Sequence, residues 1–275
     1  MTCSLPRWLT AALLLLASAA PGRAEEALSG KLTLTGSSTV APLAAELGKR
    51  FERLHPGVRV DVQSGGSSRG IADARSGLAD IGMASRALKP GEADLMPHTI
   101  ARDGICVILH KDNPVAALSD EQIVAIYTGK IADWKEVGGG PGPITVVNKA
   151  EGRSTLELFL AYFKLENADV KAHVVIGDNQ QGIKTVAGNP GAIGYVSIGA
   201  AAYEADHGTP LKLLPVSGVA ASVANVANAT FPLSRPLNLV TKSQPQGLAA
   251  AFISFTRSSD VDDIVESQFF VPLAH

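Results

Sequence analysis

The stretch Lys31-Leu32-Thr33-Leu34-Thr35-Gly36-Ser37-Ser38-Thr39-Val40-Ala41-Pro42 passes from a short apolar strand, through a turn of Gly, Ser and Thr, into a helix. The strand reading covers Lys31 to Leu34, and from Pro42 to Leu54 the residues Leu43, Leu47, Phe51 and Leu54 recur at helical spacing. The same change of period returns twice. Val58, Val60 and Val62 alternate with Arg59 and Asp61, and Ser64-Gly65-Gly66-Ser67-Ser68-Arg69-Gly70 then leads into a helix over Ile71 to Ser76 that Gly77 stops. Ile144 to Val147 reads as a strand. Lys149-Ala150-Glu151-Gly152-Arg153-Ser154-Thr155 follows it, and Thr155 to Phe163 carries Leu156, Phe159, Leu160 and Phe163 on one helical side. Strand–helix alternation of this kind predicts an α/β fold with parallel pairing and right-handed crossovers.

Outward from these junctions the pattern continues. Asp80 to Met83 reads as a strand, and Gly104 to His110 as a strongly apolar one. Ser119 with Gln122 makes a capping box for a helix that runs through Ile126 to a stop at Gly129. Strands at His173 to Ile176 and Ala192 to Val196 flank a short helix near Gln181 to Ala187, and Val219 to Thr230, rich in Ala and Asn, reads as surface structure. Leu237 to Thr241 is a strand, Gly247 to Phe255 a helix, and Val261 to Gln268 a final helix. The order is βαβα, an interruption, βαβα again, then one strand and two helices. Two α/β lobes satisfy it if the chain ends share the first lobe. Residues 25–109 with 237–275 would form lobe 1, residues 110–236 lobe 2, and Gly104 to His110 and Leu237 to Thr241 the crossings.

The first residues predict export. Arg7 precedes an apolar run from Leu9 to Ala20, and Pro21-Gly22-Arg23-Ala24 follows before Glu25 and Glu26. A run of about a dozen apolar residues is short for a bilayer span and matches a cleavable signal peptide over residues 1–24, cut after Ala24. The remaining 251 of the 275 residues hold 22 basic and 26 acidic side chains, with no basic stripe for nucleic acid. Of the two cysteines, Cys3 lies before the cut, and Cys106 sits in the apolar run Ile105 to Leu109 and is expected to be buried and inert.

The chemistry sits in the three junctions. The first backbone N–H groups of a helix lack partners inside the helix, and its dipole places partial positive charge there, so an anion is the natural ligand. Glycine permits close approach, and Ser and Thr hydroxyls add donors without bulk. Plain N-capping explains one such junction as well. Three together, one of them carrying Lys149 and Arg153, point to a single small oxyanion that takes donors from all three.

Thr35-Gly36-Ser37-Ser38-Thr39-Val40-Ala41-Pro42, Ser64-Gly65-Gly66-Ser67-Ser68-Arg69-Gly70-Ile71, Ala79-Asp80-Ile81-Gly82-Met83-Ala84-Ser85-Arg86 and Tyr127-Thr128-Gly129-Lys130-Ile131-Ala132-Asp133-Trp134-Lys135-Glu136-Val137-Gly138-Gly139 resemble the phosphate ABC transporter substrate-binding protein family. The resemblance implies a type II periplasmic-binding-protein fold, with two α/β lobes, a two-strand hinge and a ligand cleft between the lobes. It implies inorganic phosphate as ligand, a membrane ABC transporter permease as partner, no cofactor and no metal, with a monomer expected. It places ligand donors on Ser38, Thr39 and Ser67, and further contacts on Ser85, Lys149, Arg153, Ser154 and Thr155, with Glu151 orienting a basic side chain. Ser85 stands where the resemblance leads one to expect an aspartate that accepts the ligand's proton, and Lys149 stands in the place of an arginine. Both departures bear on selectivity among phosphate, sulfate, molybdate and arsenate.

Two other classes have a basis in the residues. Gly66-Ser67-Ser68-Arg69-Gly70 fits the G-x-S-x-G nucleophile elbow of hydrolases, with His110, His173 and His207 as candidate bases. A surface adhesion or signalling protein on the same scaffold would bind a protein and no anion. The scattered histidines and single internal cysteine offer no metal-ligand spacing.

Overall fold

The computed structural model describes residues 1–2 and 28–275, so the expected signal peptide lies almost wholly outside the described residues. β1 (Ser29–Gly36) pairs in parallel with β2 (Gly57–Ser64) and β3 (Ile81–Ala84), as the alternation predicts. β5 (Thr145–Lys149) pairs in parallel with β6 (Val174–Ile176) and β7 (Ala192–Ser197). Between these groups run β4 (Met96–His110) and β9 (Ser234–Thr241), antiparallel to each other. The first half of β4 lies on β9 and its second half on β7, so one 15-residue strand carries the chain from one group to the other. β8 (Leu211–Leu213) pairs with the end of β4, and the remaining strands follow the order β2-β1-β3-β9-β4-β7-β5-β6.

Two large apolar cores form around this curled sheet, with a small cluster of Ile71, Ala84, Leu95 and Val240 in addition. One gathers Leu32, Leu34, Leu43, Leu47, Phe51, Ile81 and Met83 with Leu237, Leu239 and Phe252, and extends to Ala101 along β4. The other begins at Ile105 and reaches Leu233; within it Phe159 and Tyr195 are stacked and Tyr127 is tilted against both. Helices α1 (Val40–Leu54), α2 (Ser67–Ser76), α8 (Gly247–Phe255) and α9 (Asp262–Ser267) accompany the first core. α3 (Asp120–Tyr127), α4 (Ser154–Phe163), α5 (Asn179–Ala187), α6 (Ile198–Asp206) and α7 (Val223–Ala227) accompany the second.

The differences from expectation are local. Leu54, the last residue of α1, belongs to its apolar spacing but is 60% exposed. α6 and β8 have no strong period of their own. α6 is mostly Ala and Gly and starts directly behind β7, with Gly199 packed so closely on Phe270 that a Cβ would come within 2.4 Å of the ring. The segment expected at the surface contains α7, whose Val226 is buried. Cys106 is buried as expected, and burial pushes its thiol pKa far up.

Candidate functional site

The three Gly/Ser/Thr junctions converge. Gly36 ends β1 at φ 135°, and a Cβ there would stand 2.3 Å from Met83 O and 2.9 Å from Gly70 Cα. Its carbonyl accepts the N–H groups of Gly65 (2.7 Å) and Gly66 (2.8 Å), which joins the first loop to the second. Gly66, at φ 98°, would carry its Cβ to 2.8 Å from Gly152 O, and Ser68 N–H donates to that same carbonyl at 3.2 Å. The second loop, on the first core, is thereby held against the third loop, on the second core. Only glycine combines these backbone angles with this approach.

Ser37, Ser38, Thr39, Gly66, Ser67, Ser85, Lys149, Arg153, Ser154 and Thr155 line one small cavity between the two cores. All eight side chains singled out in the sequence are among them, joined by Ser37 and Gly66. Ser154 Oγ is buried and has no hydrogen-bond partner, and Arg153 Nε is in the same condition. Buried polar atoms in folded proteins are nearly always satisfied, so orphans lining a cavity indicate a polar occupant. Glu151 does not orient Lys149 or Arg153; it is exposed and accepts from Asn167 Nδ2 at 3.3 Å.

The third cation of the site was not legible in the sequence. Arg235, at the start of β9, lies opposite Asp103 of β4 in the strand register. Its Nε and one terminal nitrogen donate to Asp103 Oδ2 at 3.1 and 2.8 Å, and both side chains are almost fully buried. The remaining donors reach Thr39 Oγ1 (3.2 Å), Ser85 Oγ (3.3 Å) and Thr155 Oγ1 (3.0 Å). Arg235 thus sits on the crossing strands and touches hydroxyls from both cores. Asn179, at the start of α5, makes a second link, with its Oδ1 accepting from Lys149 Nζ (2.9 Å) and its Nδ2 donating to Thr39 Oγ1 (3.1 Å).

Lys149 is buried, with Asn179 as its one side-chain partner and no carboxylate in ion-pair contact among the described residues. Burial, with the charges of Arg235 and Arg153, lowers its pKa to about 7 against a smaller opposing effect of Asp178. A site this rich in donors and short of negative charge suits an anion, which would restore the lysine's charge. Outside the cavity, Glu157 of α4 reaches back to the first core. It lies 2.9 Å from Arg86 Nε and 2.9 Å from Lys89 Nζ, and it accepts from Ser68 Oγ at 3.3 Å. Burial opposes the charge on Arg86, but the hydrogen bonds of Glu92 and the charge of Glu157 outweigh it and raise its pKa.

The elbow serine is therefore engaged by a glutamate. His110 and His173 use Nδ1 to accept from the N–H groups of Asp112 and Val146, and His207 stacks on Tyr203. None of these contacts arranges a histidine as a base for Ser68.

Two α/β lobes joined by two crossing strands, with a polar cavity between them, define the bilobal binding-protein class. Residues 21–260 match the PBP superfamily domain. The phosphate-binding protein PstS of Bacillus subtilis (strain 168) is 30% identical over 256 residues, covering 91% of this chain and 83% of that protein. Among solved structures, a Clostridium perfringens chain with bound phosphate, assigned to the phosphate ABC transporter substrate-binding proteins, is 35% identical with a TM-score of 0.81; the match covers 89% of this chain and 100% of that one. An ABC-type phosphate transport receptor from Vibrio cholerae is 30% identical with a TM-score of 0.72, at the same coverage. The chain belongs to the PBP superfamily and, within it, to the family of PstS phosphate-binding proteins.

Proposed function

We propose that this chain captures inorganic phosphate outside the cytoplasmic membrane and delivers it to an ABC transporter permease, without chemical change to the ligand. Residues 1–24 would direct export and be removed, leaving a monomer whose lobes close on the anion by bending at the β4 and β9 crossings. On this reading the lobes are residues 25–109 with 237–275, and 110–236. Ser38, Thr39, Ser67, Ser85, Ser154 and Thr155 donate hydrogen bonds, and Lys149 and Arg153 balance the charge. The observation that carries the proposal is Ser154 Oγ, buried without a partner at the first turn of a helix whose N-cap, Arg153, offers no side-chain acceptor. The relatives' phosphate binding supports the choice of ligand.

A ligand that binds only the folded chain raises its melting temperature by mass action. Millimolar phosphate is expected to raise the Tm of the mature chain, and to do so far less in Thr155→Val. An unchanged Tm for the parent chain, with no heat on calorimetric titration, contradicts phosphate capture.

A further inference from the structure

The directions of the hydrogen bonds around the cavity bear on which anions it admits. A hydroxyl has two lone pairs and one proton. Ser37 Oγ accepts from Thr39 N (3.2 Å) and Val40 N (3.3 Å), so its proton goes to Ser85 Oγ at 2.9 Å. Ser85 Oγ accepts that proton and one from Arg235 (3.3 Å), which occupies both of its lone pairs. Thr39 Oγ1 accepts from Asn179 Nδ2 (3.1 Å) and Arg235 (3.2 Å), with the same result. The amide of Asn179 is held this way round because the backbone N–H of Ser197, which can only donate, also faces its Oδ1 at 3.5 Å. Thr39 and Ser85 are thereby left with protons alone to offer a ligand.

Arg235 is the source of this polarity. Its five N–H groups are matched by Asp103, Thr39, Ser85 and Thr155, so it stands behind the hydroxyls. The other lining side chains are Lys149 and Arg153, which are donors, and the hydroxyls of Ser38, Ser67, Ser154 and Thr155, which can rotate to donate or accept. No carboxylate is among the described residues that line the cavity; Asp103 lies on the far side of Arg235.

Rejection of an unprotonated tetrahedral dianion requires an acceptor that cannot become a donor, so that the fourth oxygen meets lone pairs. The geometry points to a cavity without such a side-chain acceptor, one that admits sulfate alongside phosphate, with Arg235 as the positioning residue that turns Thr39 and Ser85 into donors. This inference rests on the reading of the cavity as the phosphate site and extends it to a ligand class. Four oxygens without protons meet donors at every side, whereas hydrogen phosphate needs one rotatable hydroxyl to accept its P–OH.

The test is calorimetric titration of the mature parent chain with phosphate and, separately, with sulfate at pH 8. The sulfate Kd is expected to lie within about tenfold of the phosphate Kd. Phosphate binding with sulfate weaker than that overturns the inference and leaves phosphate capture standing. If neither anion binds, both readings fall. Arg235→Lys keeps a positive charge but frees lone pairs on Thr39 and Ser85, so the sulfate-to-phosphate affinity ratio is expected to fall by about threefold or more. A purely structural role would weaken both anions equally, and an unchanged ratio removes Arg235 from the account. The parent titration decides the ligand class whether or not the variant folds.

Discussion

Seven of the nine α-helix starts among the described residues fall into two groups; α8 and α9 begin behind Gln246 and Val261, also without a side-chain cap, and lie outside the cavity. α3, α5, α6 and α7 begin behind Ser119, Asp178, Ser197 and Ser222, and each of these side chains accepts a backbone N–H from its own first turn. α2 begins behind Gly66, which has no side chain, and α4 behind Arg153, whose side chain accepts nothing, while α1 is covered only from further back, by Ser37. The second group contains the three helix starts that meet at the cavity. Similar Ser and Thr content does two jobs. In one group the hydroxyl closes the helix end; in the other it faces a shared space, and the helix end is left for a ligand. Plain capping is the physics of α3 but not of α4.

The comparison can be broken at several points. The largest effect is expected at the ion pair behind the cavity. Asp103→Asn leaves Arg235 buried without its counter-charge, which costs about 3–5 kcal/mol of folding stability in urea titration. A loss below about 1 kcal/mol would mean that Arg235 finds water or another partner.

Lys149→Met is expected to weaken phosphate by about a hundredfold. It should do the opposite to the empty protein. In the unfolded chain Lys149 holds its proton to about pH 10.4, but in the fold only to about pH 7. Between those values the unfolded state binds more protons, so the empty chain gains stability as pH rises through the window, and the penalty is fully present below it. The methionine variant should lose that slope and be more stable near pH 7. Chemical denaturation at pH 7 and pH 10 measures both signs, and a steeper slope in the variant contradicts the assignment.

A paired substitution tests the two groups directly. Ser119→Ala should cost about 1 kcal/mol of stability and leave anion affinity unchanged. Ser154→Ala should leave stability within about 0.5 kcal/mol and weaken phosphate by about tenfold. The reverse assignment of these two losses would erase the distinction. The smallest effect is expected from Glu157→Gln, which removes the ion pairs to Arg86 and Lys89 that fasten the start of α4 to the first core. Affinity should fall by about threefold to fivefold through faster dissociation, because the glutamate is partly exposed and Lys89 largely so. A slower association rate instead would place Glu157 in ligand steering.

Most of the fold was legible where the period of the sequence changes. Leu43, Leu47 and Phe51 are all buried, and the strand of Val58, Val60 and Val62 is half-buried as its alternation implies, at the edge of the sheet. The three cavity loops were legible because Gly, Ser and Thr cluster there for a backbone reason, visible at Gly36 and Gly66. Arg235 was not, since in Ser234-Arg235-Pro236 it is one arginine before an apolar strand. Its role depends on the register that sets it across from Asp103, a residue 132 positions away. Asn179 was hidden for a similar reason, as it looks like an ordinary first-turn residue until α5 is packed beside Thr39.

The account's central claim is that the three helix starts that meet at the cavity share one tetrahedral anion. Arsenate, which has the shape and charge of phosphate and scatters anomalously, locates that anion directly in a crystal of the mature chain. The prediction is a single anomalous peak about 4 Å from the hydroxyls of Ser38, Ser67, Ser154 and Thr155 and from Lys149 Nζ, because the arsenic stands one bond inside the oxygens that accept their hydrogen bonds. A peak at the start of α3, α5, α6 or α7, or no peak in the cavity at saturating arsenate, would contradict it.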